Sequence, residues 1–93
     1  MSMLHQRHDI DQLTIDQTSW LVSGSLVIVV RPEAAGPDWE LVATTLDTDR
    51  LDPGSYRVSV RTTNGLVFGG DAVLVRQVDK TLVFRGAGPL DPE

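Results

Sequence analysis

The stretch Leu51–Val75, LDPGSYRVSVRTTNGLVFGGDAVLV, reads as a turn, an alternating strand, a corner and a second strand. Tyr56, Val58, Val60 and Thr62 share one face while Arg57, Ser59 and Arg61 share the other, the two-residue period of a half-buried strand. Asn64-Gly65 is the dipeptide suited to a two-residue type I′ turn, whose two central residues both sit at positive φ. Such a turn sets Thr63 against Leu66 and Arg61 against Phe68, which brings a polar-face arginine and a core-type aromatic onto the same face. A longer or bulged loop returns Phe68 to the core face and is the expected form. Gly69-Gly70 then predicts a bulge or bend before Ala72–Val75 resumes the strand.

Working outward from this hairpin, Asp47–Gly54 is turn-rich, and Trp39, Leu41, Ala43 and Thr45 alternate with Glu40, Val42, Thr44 and Leu46. Arg31–Pro37, with two prolines and a glycine, is a loop. Upstream, Trp20–Val30 is rich in β-branched and aromatic residues, and Gly24 implies either a bulge in one strand or a hairpin corner at Ser23-Gly24. Leu26–Val30 is apolar on both faces and reads as the most buried strand, needing cover from a second layer, a closed barrel or another subunit. Leu13 and Ile15 open a first strand, interrupted by Asp16–Ser19. Thr81–Arg85 forms a short last strand.

No segment carries a helical apolar stripe. The expected fold is therefore all-β: a single small antiparallel β-sandwich or β-barrel of five to seven strands. Residues 12–86 are expected to form that domain, between a flexible N-terminal tail over 1–11 and a C-terminal tail over 87–93. A chain of 93 residues buries roughly 60–68% of its unfolded surface, enough for one modest core.

Composition narrows the chemistry. A formal charge of −5 repels a phosphate backbone and makes nucleic-acid binding an unfavoured expectation. The absence of cysteine removes disulfides, thiolate nucleophiles and Cys-based metal sites. His5 and His8 both fall in the expected tail and Lys80 is the sole lysine, so the predicted domain has no histidine base. No glycine cluster leads from a strand into a helix as a phosphate loop does. No catalytic residue, cofactor or metal site is assigned. The N-terminus has no apolar secretory core, and Leu26–Val30 is too short to span a bilayer, so a cytoplasmic protein without membrane contact is the expectation.

Leu51-Asp52-Pro53-Gly54-Ser55-Tyr56-Arg57-Val58-Ser59-Val60 resembles the tyrosine-corner segment of immunoglobulin-like and fibronectin type III-like sandwiches. The resemblance covers ten residues and implies that the Tyr56 hydroxyl returns to the turn backbone while Leu51 plugs the core. Gly65 and Gly70, with Leu82–Gly86, resemble the spaced glycines and closing apolar-Arg-Gly motif of Sm-like RNA-binding barrels. That family's acidic and amide positions fall on Arg76 and Lys80, and Arg85-Gly86 comes too early to admit the intervening strand.

Candidate sites carry competing readings. His5, His8, Asp9 and Asp11 would suit a divalent metal on a helix but equally suit a polar tail. Asp47, Asp49 and Asp52 offer oxygen ligands for Ca²⁺ and also serve turn geometry. Arg57, Arg61 and Arg76, with Phe68, form the candidate partner-binding set, with Arg85 as a further neighbour. A solvated face balanced by Asp71, Asp79 and Glu40 is the plainer reading of those arginines. The leading functional expectation is a non-catalytic β module acting through protein–protein contact, as a homo-oligomer or small accessory subunit. The alternative is a ligand-binding barrel or carboxylate-based enzyme with Trp20, Trp39, Tyr56 and Phe68 around an apolar cavity and an arginine at its mouth. An Sm-like RNA-binding barrel is the third.

Overall fold

In the computed structural model, which describes residues 4–32, 36–46 and 50–93, the chain is all-β, and its described residues hold no helix. Six strands, β1 (Leu4–Ile15), β2 (Thr18–Val30), β3 (Asp38–Thr45), β4 (Gly54–Thr62), β5 (Val67–Val78) and β6 (Thr81–Pro92), close into one antiparallel barrel. The order around it is β1-β2-β3-β6-β5-β4, with β4 returning to β1. Closure resolves the choice between sandwich and barrel, and it buries one face of every strand. Phe84, Leu13, Leu26, Leu41, Leu82 and Val58 fill the interior. Tyr56 meets Phe84 edge-to-face at 6.3 Å between ring centroids.

The hairpin Leu51–Val75 takes the longer loop. Val60 pairs with Phe68 and Arg61 with Val67, leaving Thr63, Asn64 and Gly65 as a three-residue loop. Thr62 N–H donates to Leu66 C=O at 2.7 Å, and Gly65 N–H donates to Thr62 C=O at 3.0 Å. Gly65 alone in the loop has positive φ, +92°, as a type I turn closed by a left-handed glycine requires. The buried Thr62 hydroxyl completes the loop by accepting from Leu66 N–H at 2.9 Å and donating to the Asn64 carbonyl oxygen. The pairing of β4 with β5 runs unbroken through Gly69-Gly70, and the irregularity expected there falls on the other side of β5, where the register against β6 shifts between Gly70 and Ala72.

A two-residue turn with both residues at positive φ does occur, at Asp16 (48°) and Gln17 (71°), between β1 and β2. β2 is then one strand through Gly24, where an added Cβ would collide with the Val42 carbonyl of β3, so the hairpin corner at Ser23-Gly24 does not form.

Both expected tails are largely strand. β1 starts at Leu4, and its register shifts at Asp11 against β2 and β4. That bulge reverses the strand's alternation, so Ile10, Leu13 and Ile15 all face the core although ten and thirteen differ in parity. At the other terminus β6 continues to Pro92 along β5, with Ala87, Gly88 and Pro89 bulged opposite Asp71. Trp39 accounts for this detour: its indole Nε1–H donates to Gly88 C=O at 2.9 Å, and its ring occupies the space that side chains at Gly70 and Gly86 would take. Thr81–Arg85 is thus only the first part of β6.

The barrel is zipped furthest at the end carrying the Asp16-Gln17 and Asp79-Lys80 turns, although Thr18–Leu21 of β2, Gly54–Arg57 of β4 and Val75–Val78 of β5 keep a ladder neighbour on one side only, and it is splayed at the other. β4 pairs with β1 only at Ile10 and from Gln12 to Ile15, and β3 pairs with β6 only over Glu40–Thr44. Beyond those points β1 follows β2 alone and β6 follows β5 alone. His8 turns inward in this region, its ring 5.5 Å from that of Phe68.

Candidate functional site

The splayed end creates the principal concavity. Where β3 and β6 part after the Glu40–Arg85 pair, a groove of about 510 Å³ opens over the outer face of β2 and β3. Strand alternation puts Leu26 and Ile28 in the core and turns Val27 and Val29 outward as the groove's apolar floor. The five residues Leu26–Val30 are therefore buried on one face only, Val30 being 40% exposed, and β2 is less enclosed than β3, whose Trp39, Leu41, Ala43 and Thr45 are all buried.

Charges rim that floor. Arg31 and Asp38 approach to 3.2 Å across the start of β3, while Glu40 and Arg85 face each other from adjacent strands. Arg85 makes no ion pair within 4 Å among the described residues. Its guanidinium therefore keeps all its donors for a ligand or partner carboxylate. A second, smaller hollow of about 180 Å³ lies between Arg50, Leu51, Pro53 and the β5 segment Leu74–Gln77.

The expected partner-binding residues do not converge. Arg57 and Arg61 share the outer face of β4, but each is matched with an acid: Arg57 with Asp71 directly opposite at 3.6 Å, Arg61 with the bulged Asp11 at 2.9 Å. Both pairs are exposed, so they contribute little to stability and satisfy the charge locally. Phe68 faces inward towards His8. Arg76 follows the Val75 bulge and borders the smaller hollow, opposite Val83. Arg85, the neighbour in that set, is the one that lines the main groove.

Trp20, Trp39, Tyr56 and Phe68 are likewise dispersed around the barrel. Trp39 is buried at the splayed end and borders the groove, while Tyr56 packs near the zipped end. The Tyr56 hydroxyl donates to Asp52 C=O at 2.6 Å and Leu51 packs against the core, within a single closed sheet. His5 and His8 lie on a strand rather than a helix and face opposite sides of it, and among the described residues no group of three His, Asp or Glu gathers to hold a metal ion. Asp47 and Asp49 of the Asp47, Asp49 and Asp52 set lie outside the described residues.

The groove residues Val27, Val29, Arg31, Asp38, Glu40 and Arg85 come from three strands and a loop, and only their registers bring them together. The sequence signal was the doubly apolar run Leu26–Val30, whose second face had to meet something. Among known proteins, no family model, no curated protein and no solved structure matches the chain.

Proposed function

We propose that this barrel is a non-catalytic module that works by protein–protein contact, as a homo-oligomer or as a small accessory subunit. The observation that carries this reading is the outer strip of Val27 and Val29, half-buried in the groove and ringed by Arg31, Asp38, Glu40 and Arg85. An apolar centre with a charged rim is the anatomy of a protein interface. Sedimentation velocity over a wide concentration range, on the wild type and on Val27→Asp, tests it. Self-association that disappears in Val27→Asp while the melting temperature holds supports the homo-oligomer form. A wild type that sediments as a 10.2 kDa monomer at every concentration removes that form.

A second reading rests on the same groove. Its volume falls within the range of small-ligand sites, and Arg85 offers an unengaged anchor for a carboxylate. This places a ligand outside the barrel, whose interior is occupied by its own side chains. Chemical-shift mapping with a small aliphatic carboxylate would register at Val27 and Arg85 if it holds, and nowhere if it fails.

A further inference from the structure

At the splayed end the two longest strand edges without a ladder neighbour among the described residues are β1 from Leu4 to His8 and β6 beyond Arg85. They are not equivalent. The β6 edge carries Gly86, Gly88, Pro89 and Pro92, is interrupted by its three-residue bulge, and has Gly88 C=O occupied by the Trp39 indole. Those are the devices that prevent a strand from joining another. The segment Leu4-His5-Gln6-Arg7-His8 has no proline, no glycine and no bulge, and one formal charge.

The direction of its free groups follows from one bond. Thr63 N–H donates to Asp9 C=O at 2.9 Å, so Asp9 directs its backbone groups away from β2, towards β4. By the two-residue alternation of an antiparallel ladder, His5 and Arg7 direct theirs the same way, where no strand lies, while Gln6 and His8 bond to β2. The open edge thus presents the N–H and C=O of His5 and of Arg7.

We infer that this edge pairs antiparallel with the same edge of a second copy of the chain. The inference rests on the interaction-module reading and assigns it a specific surface. A two-fold axis through Gln6 sets His5 against Arg7 of the other copy and Arg7 against His5, so all four exposed groups on each copy are used in four hydrogen bonds. Gln6 meets Gln6 at the axis, an amide that both donates and accepts and is therefore its own complement. The register two residues further along the strand opposes Arg7 to Arg7, a like-charge pair, and satisfies fewer groups. The pairing extends β3-β2-β1 into a six-stranded sheet whose outer face carries Val27 and Val29 of both copies. Five paired residues per copy fall below the area of a permanent dimer, so the association is reversible and concentration-dependent.

Proline scanning tests it, because a proline removes an N–H from one side of the strand only. Arg7→Pro deletes an edge donor and leaves the β1–β2 ladder intact, and it is expected to weaken dimerisation by at least about tenfold with a melting temperature close to wild type. Gln6→Pro, which removes a donor from that ladder, is the contrasting variant and is expected to destabilise the monomer. Amide hydrogen exchange on the wild type gives an independent reading: the His5 and Arg7 amides should slow as concentration rises, while Gly65 and Leu66 do not change. A dimer that survives Arg7→Pro, or is lost in Val27→Asp with the edge amides indifferent to concentration, places the contact on the groove and overturns edge pairing while the interaction-module reading stands. A wild type that never dimerises overturns edge pairing together with the homo-oligomer form and leaves the accessory-subunit form in place.

Discussion

The β1–β2 and β4–β5 hairpins solve the same problem with opposite materials. Asn64-Gly65 has the preferred composition for a two-residue type I′ turn and does not form one, whereas Asp16-Gln17, with no glycine, holds both residues at positive φ in a two-residue turn. Turn chemistry differs by about 1 kcal/mol between such choices, while moving a strand by one residue exchanges its buried and exposed faces. In β4 a two-residue turn at Asn64-Gly65 would oppose Arg61 to Phe68. The observed loop opposes Val60, 2% exposed, to Phe68. In β1 the two-residue turn keeps Ile15 and Leu13 inward. Register is set by which side chains reach the core, and the turn residues accommodate that register at some local strain.

The sharpest way to break this comparison is to reverse the polarity of neighbouring positions on β4. Val60→Asp buries a carboxylate with no partner inside the barrel and is expected to remove about 3–5 kcal/mol, a large share of the stability of a domain of this size. Arg61→Val, one residue away, loses only an exposed ion pair with Asp11 and should change stability by less than about 1 kcal/mol. Urea titrations of the two variants give both values. Similar losses at the two positions would mean that the inward face does not govern the register.

Gly65→Ala comes next. An added Cβ there meets nothing within 4 Å, so any loss reports backbone strain at φ +92° and not crowding. About 1–2 kcal/mol is expected, read as a fall in melting temperature. A neutral outcome would show that the loop relaxes to another conformation at no cost.

The hairpin Leu51–Val75 was legible because its inward face repeats every two residues without a bulge from Tyr56 to Thr62. The terminal strands were not, and for a physical reason. Asp11 breaks the alternation of β1 midway, so Ile10 and Leu13 no longer share a parity, and residues 4–10 look aperiodic. In β6 the run Gly86-Ala87-Gly88-Pro89 looks like a tail because it shapes itself around Trp39, a residue 49 positions from Gly88 in sequence. The groove depends on the same long-range pairing. Val27, Glu40 and Arg85 are neighbours only because β2, β3 and β6 are adjacent, a strand order that no local pattern encodes. The arginines singled out from alternation, Arg57 and Arg61, do share a face, but alternation carries no information on the acids opposite them.

The β1–β2 turn offers a gain in place of a loss. Gln17 at φ 71° holds a conformation that glycine adopts with far less strain. Gln17→Gly is expected to stabilise the barrel by about 0.5–1 kcal/mol after the added flexibility of the unfolded chain is deducted, or roughly 4 °C in melting temperature. A lower melting temperature would mean that the Gln17 side chain contributes more than its backbone strain costs.

The smallest effect is expected from deleting Thr63. The deletion leaves Asn64 and Gly65 as a two-residue loop between Thr62 and Leu66, so the favoured dipeptide is offered its favoured turn with the pairing of Val60 to Phe68 retained. Against this gain stand the loss of the Thr63 N–H bond to Asp9 C=O and the strained departure of the Thr62 hydroxyl from Asn64 and Leu66. Each hydrogen bond contributes about 1 kcal/mol, and a matched type I′ turn returns a similar amount, so the net change should lie within about 1 kcal/mol. Cross-strand NMR contacts between Val60 and Phe68 should persist. Contacts between Arg61 and Phe68 in the shortened chain, which require a three-residue loop over Asn64, Gly65 and Leu66, would show that loop length, and not the inward face, selects the register.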